Sequence, residues 1–166
     1  MAFEFTRIDY KKDLNARQKE NYNFQKISAV LADYGFVTMR LSADWNGADF
    51  IALHIEGGVL HVQLKSRLTL QKKYLDQQDL YIAFPHGEDW YLYKHSELVE
   101  KVLALKNIAS TASWNGAEKQ GGYSWPRLDM ELLELLAPYR LEVQGKGTVG
   151  ISIERTLRRK TNGKAM

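Results

Sequence analysis

The chain has 166 residues, 45% of them hydrophobic and 26% charged, and it contains no cysteine. That is the size of one ordinary domain, able to bury roughly two-thirds of the surface its unfolded chain exposes. It excludes disulfides, cysteine-ligated zinc, iron–sulfur clusters and thiol chemistry. No apolar run approaches the roughly 18 residues of a membrane span. The opening residues Met1 to Arg7 show no basic stretch followed by an apolar one, so a cytoplasmic globular protein is expected. The net charge of +3 is local: five of the 23 basic residues lie between Arg155 and Met166, where there is no acid. The remainder carries 18 basic against 20 acidic residues, a net of −2. Residues 1–154 are therefore read as one domain and 155–166 as a basic tail.

In chain order, apolar residues recur at Phe24, Ile27, Val30, Leu31 and Tyr34 with a helical period, predicting a helix from Leu14 to Tyr34. Asp13 is its expected N-cap and Gly35 its stop. Phe36 to Leu41 reads as a strand, and Ser42 to Ala48, with its Asn-Gly step, as a turn. Asp49 to Ile55 and Val59 to Arg67 read as a hairpin around Gly57-Gly58. Leu80 to Phe84 and Trp90 to Lys94 form two more strands about Pro85-His86-Gly87, and Ser96 is expected to cap a helix reaching Leu105. Residues 107–126 read as a loop, but Trp114, Tyr123 and Trp125 imply that it folds back on the body or on a ligand. A short helix from Asp129 to Leu136 precedes Pro138, and strands are expected at Arg140 to Val143 and Val149 to Arg155. The hexapeptide Ala-x-Trp-Asn-Gly-Ala occurs at Ala43 and again at Ala112; the flanks differ, so two similar turns are expected, not a repeat. The order of elements is mixed α/β.

Two motifs fail. Gly145-x-Gly147-x-x-Gly150 matches the dinucleotide fingerprint as a string, but no helix-forming stretch follows it, so a hairpin turn is expected. The four histidines lack metal-ligand spacing, and a two-residue Gly57-Gly58 turn would merely set His54 opposite His61.

One constellation carries chemistry. A lysine inside the apolar run Val59-Leu60-His61-Val62-Gln63-Leu64-Lys65 is costly to bury unless it is paired or used. Gln63 and Lys65 are two apart, on one face of their strand, and Asp49 opens the preceding strand. A carboxylate and an amide oxygen, with waters, can hold Mg²⁺ or Mn²⁺. A metal polarises a phosphodiester and activates an attacking water, and an ammonium offsets the charge that builds on the phosphorane. Register matters here: a two-residue turn sets Phe50 opposite Lys65 and gives an apolar face of Ile51, Leu53 and Ile55 against Leu60, Val62 and Leu64. A three-residue loop, Glu56-Gly57-Gly58, sets Asp49 opposite Lys65 instead, and the metal reading needs that odd loop or a kink.

Gly47-x-Asp49 followed by Gln63-x-Lys65 resembles the PD-(D/E)XK nuclease superfamily. Gly47-Ala48-Asp49-Phe50-Ile51-Ala52 and Gln63-Leu64-Lys65-Ser66-Arg67 are most similar to the corresponding segments of archaeal Holliday-junction resolvases. The resemblance covers about Asn15 to Leu105. It implies a restriction-endonuclease-like α/β (α+β) fold, a mixed central sheet flanked by helices, and DNA endonuclease activity. It implies Asp49 and Gln63 as metal ligands, Lys65 as the catalytic lysine and Glu20, on the first helix, as a further ligand. Ala48 replaces the proline of the family pattern and Gln63 replaces its second acid. The open alternative is therefore a non-cleaving DNA-binding member of the same fold, or an interaction component that uses the Trp114 to Trp125 loop. Lys26, Arg67, Lys72 and Lys73 are candidate phosphate contacts. No helix rich in Arg, Asn and Gln suggests sequence reading, so double-stranded or branched DNA is the expected partner, with a homodimer the assembly suited to cutting both strands.

Overall fold

The structure is a computed structural model and describes residues 5–116 and 120–143. The Val149 to Arg155 strand, the Gly145 to Gly150 turn and the basic tail lie outside the described residues.

Helix α1 (Ala16–Asp33) starts two residues later than a cap at Asp13 would require. Its N-cap is Asn15, whose side chain accepts from Gln18 N at 2.9 Å while the Gln18 side chain accepts from Asn15 N at 2.9 Å. This reciprocal box satisfies two helix donors at once. Asp13 instead closes the preceding turn by accepting from Asp9 N. The chain leaves the helix through Gly35 at φ +80°, and β1 (Phe36–Trp45) follows.

β1 runs four residues beyond the expected strand end. The turn contracts to Asn46 and Gly47, both at positive φ (52° and 88°), and Trp45 pairs with Ala48 at the start of β2 (Ala48–His54). Two consecutive left-handed residues make the hairpin turn that matches strand twist. β2 pairs antiparallel with β3 (Val59–Leu64), with Phe50 opposite Val62 and Ala52 opposite Leu60. His54 N donates to Gly58 O at 3.0 Å, so the connection is a three-residue loop, Ile55-Glu56-Gly57, one residue earlier than Glu56-Gly57-Gly58, with glycines at φ +92° and +104°. Continued past the Phe50–Val62 pair, this register sets Asp49 level with Gln63 and not opposite Lys65. Asp49 thereby falls in the same alternation as Gln63 and Lys65. The apolar face is correspondingly corrected. Phe50, Ala52, Leu60 and Val62 are buried, whereas Ile51 and Leu53 are half-buried and Ile55 is exposed. His54 does not face His61; its ring packs 4.9 Å from that of Phe36, and His61 sits opposite Ile51.

After β3 come β4 (Thr69–Gln71), a 3-10 turn at Lys72–Tyr74, then β5 (Leu80–His86), which lies parallel to β3. β6 (Asp89–Lys94) returns antiparallel around Gly87. α2 (His95–Leu105) begins at Lys94 with no side-chain cap, and Ser96 lies within its first turn rather than capping it. β7 (Gly122–Ser124), inside the stretch read as loop, pairs with β4. α3 (Met130–Leu136) is capped by Asp129, and β8 (Arg140–Leu141) joins the free edge of β6.

The main sheet has the order β1-β2-β3-β5-β6-β8, antiparallel except for β3 against β5. Ile27, Val30 and Leu31 of α1 pack on Phe36, Phe50, Leu60, Val62, Ala83 and Leu92. The alternate residues Ile82, Phe84, Tyr91 and Tyr93 face the other way, onto Leu98, Val102, Leu132 and Leu136. This is the mixed sheet flanked by helices that the resemblance implies. Trp114 is buried in the second core and Tyr123 and Trp125 pack against it. The loop folds back on the body, and Trp114 is not the exposed contact residue that an interaction surface there would need. No helix among the described residues is long and apolar enough to cross a membrane.

Candidate functional site

A cavity of about 610 Å³ opens where the N-terminal half of α1 passes the β1–β2 hairpin and the end of β3. Its wall includes Arg17, Glu20 and Asn21 from α1, Arg40 from β1, Asp49 from β2 and Gln63 from β3. Residues 17, 20 and 21 share a helix face by their spacing. Glu20 stands one turn ahead of Phe24 on the stripe that continues to Ile27 and Leu31. The face that docks α1 on the sheet thus carries Glu20 to the sheet's end. The sequence places Glu20, Asp49 and Gln63 far apart, and the fold draws them to one cavity.

Each side chain is held by a local cause. The β2–β3 ladder stops at the Phe50–Val62 pair, and Leu64 N–H beyond it donates to Asp49 Oδ2 at 2.7 Å. The carboxylate therefore caps the ladder and is fixed at its end. Gln63 is only 7% exposed, and its Nε2 donates to the Tyr74 hydroxyl at 2.5 Å. Tyr74 is itself buried beneath the Asn46-Gly47 turn, where a Cβ on Gly47 would stand 2.5 Å from its ring. With the amide nitrogen committed to Tyr74, Gln63 Oε1 is buried without a hydrogen-bond partner among the described residues. A buried carbonyl left unpaired costs about 1–3 kcal/mol, and a hard cation or a water coordinated to one would satisfy it.

Glu20 is paired with Arg40, which also donates to Asn21 Oδ1. Among the described residues no three His, Cys, Asp or Glu side chains cluster as a metal site. The side-chain oxygens in the cavity wall are the carboxylates of Glu20 and Asp49, the carboxamides of Asn21 and Gln63, and the Ser42 hydroxyl. That set suits a hard divalent ion that keeps several waters.

Lys65 is half-buried, and its ammonium lies over the Tyr74 ring, 5.9 Å from the centroid, rather than among the residues lining the cavity. Its backbone N donates to Ala83 O across the parallel pair. Lys73 covers the same ring at 4.8 Å. Lys26 sits over Tyr22 on α1, Lys72 over Trp114 with a bond to Asn115 Oδ1, and Arg67 is exposed just after β3. Behind Tyr74, at 90° and 5.7 Å, stands His95. Its Nε2 accepts from Gln71 N at 3.1 Å. Burial lowers the His95 pKa to about 4; the Tyr74 backbone opposes this shift, and the Lys65 charge reinforces it.

Arg17, Arg40 and Tyr74 are the site residues that sequence reasoning missed. For Arg17 a signal existed in its i, i+3 spacing to Glu20. For Arg40 and Tyr74 there was none, because their partners are distant in sequence.

No protein-family model and no curated protein matches this sequence. Among solved structures, the Holliday junction resolvase Hjc of Archaeoglobus fulgidus is similar at 15% identity, with a TM-score of 0.35. The match covers 42% of this chain and 74% of that one. The bacterial homing endonuclease I-Ssp6803I is similar at 11% identity over 89% of this chain and 98% of its own, with a TM-score of 0.44.

Proposed function

We propose that the protein is a metal-dependent DNA endonuclease of the PD-(D/E)XK type, hydrolysing phosphodiester bonds at the cavity between α1 and the β1–β2–β3 edge. The observation that carries this reading is the buried Gln63 carbonyl, without a hydrogen-bond partner among the described residues, in a wall shared with the Asp49 and Glu20 carboxylates. In this reading Asp49 and Gln63 hold Mg²⁺ or Mn²⁺, and Glu20 is an auxiliary ligand. An ion held there by Asp49 and Gln63 would supply polarisation of the phosphate and a lowered pKa for a bound water. Tyr74 orients the Gln63 amide, and the Leu64 N–H orients the Asp49 carboxylate, so neither reorganises when substrate arrives. Lys65 offsets the charge that builds on the phosphorane. Arg17 and Arg40 present guanidinium groups to backbone phosphates, and Lys26, Arg67, Lys72 and Lys73 extend the cationic rim. Double-stranded or branched DNA is the substrate class, read by shape, and a homodimer is the assembly for cutting both strands.

Nicking of supercoiled plasmid and cleavage of a four-way junction, with Mg²⁺ or Mn²⁺ and with EDTA, test the proposal. Wild type cleaves only with metal, and Asp49→Asn and Lys65→Ala lose about 10²-fold or more in rate while still binding DNA. Equal rates in wild type and Lys65→Ala would overturn the catalytic assignment. A second reading, a non-cleaving DNA-binding protein, is favoured by the Glu20–Arg40 pair and by a carboxamide in place of a second acid. It predicts salt-sensitive DNA retention by wild type without metal-dependent cleavage.

A further inference from the structure

A second, smaller cavity of about 220 Å³ lies at the tip of the same hairpin and shares no lining residue with the first. Trp45 and Asn46 come to it from the turn, His61 from β3, and Gln77, Gln78 and Asp79 from the segment before β5. Its chemistry differs from that of the Asp49 cavity. The larger cavity has two arginines in its wall, whereas the lining of the smaller one includes no Lys or Arg, so it is unsuited to phosphate. It offers three neutral carboxamides and an indole, beside the His61 imidazole and the Asp79 carboxylate, whose charge Lys94 faces at 3.9 Å. Trp45 is 64% exposed at the end of β1, just before a two-residue turn, a position where a large aromatic group gains nothing from the chain's own core. The turn residues Asn46 and Gly47 hold the indole at a defined place. Gln78 Nε2 donates to Leu75 O at 3.3 Å, which anchors one of the amides. The volume falls below the ~300–1,000 Å³ of ordinary small-molecule clefts and suits one flat ring system.

We infer that this cavity receives a single unpaired nucleobase of the DNA whose backbone occupies the Asp49 cavity. Trp45 stacks on the base, and Asn46, Gln77 and Gln78 address its hydrogen-bonding edge. The inference rests on the DNA reading above. An indole gives a stacking platform that any base can use, and carboxamides match the paired donor and acceptor of a base edge. The hairpin links the two cavities: Ala48 and Asp49 line one, and Trp45 and Asn46, just across the turn, line the other. A strand with an unstacked base can therefore engage both at once, which fully paired DNA cannot do without extruding a base.

The test is binding of the full-length protein in EDTA, so that no cleavage is needed. The ligands are matched fluorescent oligonucleotides: a perfect duplex, the same duplex with one extrahelical adenine, and a four-way junction with unpaired bases at its centre. Wild type binds the two unpaired-base ligands more tightly than the duplex. Trp45→Ala loses that preference, about tenfold on those ligands, with duplex affinity unchanged, whereas Trp45→Phe retains it. Gln77→Ala weakens the preference without touching duplex binding. Trp45→Ala weakening all three ligands equally, or wild type showing no preference, overturns the base site while leaving the nuclease reading intact. Absence of any DNA binding by wild type overturns both. Circular dichroism melts of each variant separate loss of the site from loss of the fold, and a Trp45→Phe protein that melts like wild type but binds like Trp45→Ala also overturns the stacking role.

Discussion

His95 is fully withdrawn from solvent, and its neutral form is built into the fold because Nε2 accepts the Gln71 amide hydrogen. Its folded pKa of about 4 lies below the ordinary histidine value of 6.5. The unfolded chain therefore binds a proton between those values that the folded chain refuses. Stability is complete above about pH 6.5 and is lost as pH falls toward 4, by up to about 3 kcal/mol. Urea denaturation from pH 4 to 7.5 measures it. His95→Gln, which keeps an acceptor without a titrating ring, flattens the profile in that window; an unchanged slope would remove His95 as its cause. Gln63 gives a second test at this scale. Tyr74 can donate as readily as accept, so Gln63→Glu keeps the bond to Tyr74 and turns the proposed neutral ligand into a charged one. Mn²⁺ titration followed by calorimetry is expected to show about tenfold tighter binding than wild type. Weaker binding would take Gln63 out of the metal site.

At the scale of elements, the β1–β2 hairpin organises both cavities, and its turn depends on glycine for two reasons. Gly47 has φ +88°, and a Cβ there would press into the Tyr74 ring. Gly47→Ala is expected to destabilise the fold by about 2 kcal/mol, from backbone strain and displacement of Tyr74. It should also lower Mn²⁺ affinity, because Tyr74 holds Gln63. A thermal melt and the same titration read both effects, and a loss of stability with wild-type metal affinity would uncouple the turn from the site. The cap of α1 is the control. Asn15→Ala removes one capping bond, costs about 1 kcal/mol and should leave metal affinity unchanged.

Across the whole molecule, residues 1–154 carry a net −2 and the last twelve residues a net +5. DNA affinity drawn from the tail is then long-range and strongly screened by salt, while affinity drawn from Arg17 and Arg40 is confined to the cavity. Deleting residues 155–166 is expected to reduce the slope of log affinity against log salt by several phosphate equivalents, with the cleavage rate at saturating DNA unchanged. An unchanged slope would assign DNA binding to the body alone.

The parts of this protein legible from sequence are those decided by neighbours along the chain. The helical period of α1, the stop at Gly35, the Asn-Gly turn, the Gly57-Gly58 bend and the Asp129 start of α3 all follow from local backbone preferences. The Asp49/Gln63/Lys65 constellation is legible as a pattern of residue types for the same reason. What the pattern leaves open is alternation: one residue more or less in the loop reverses which side chains share a face. The structure decides it with the loop Ile55-Glu56-Gly57. The Arg40 pairing with Glu20 and the Tyr74 bond to Gln63 join segments eleven or more residues apart, and no local signal marks them. The repeated Ala-x-Trp-Asn-Gly-Ala is the clearest case. Trp45 stands 64% exposed at a hairpin tip while Trp114, in the same hexapeptide, is 5% exposed in the core. Local chemistry writes similar strings into both places, but burial is a property of what the rest of the chain brings alongside.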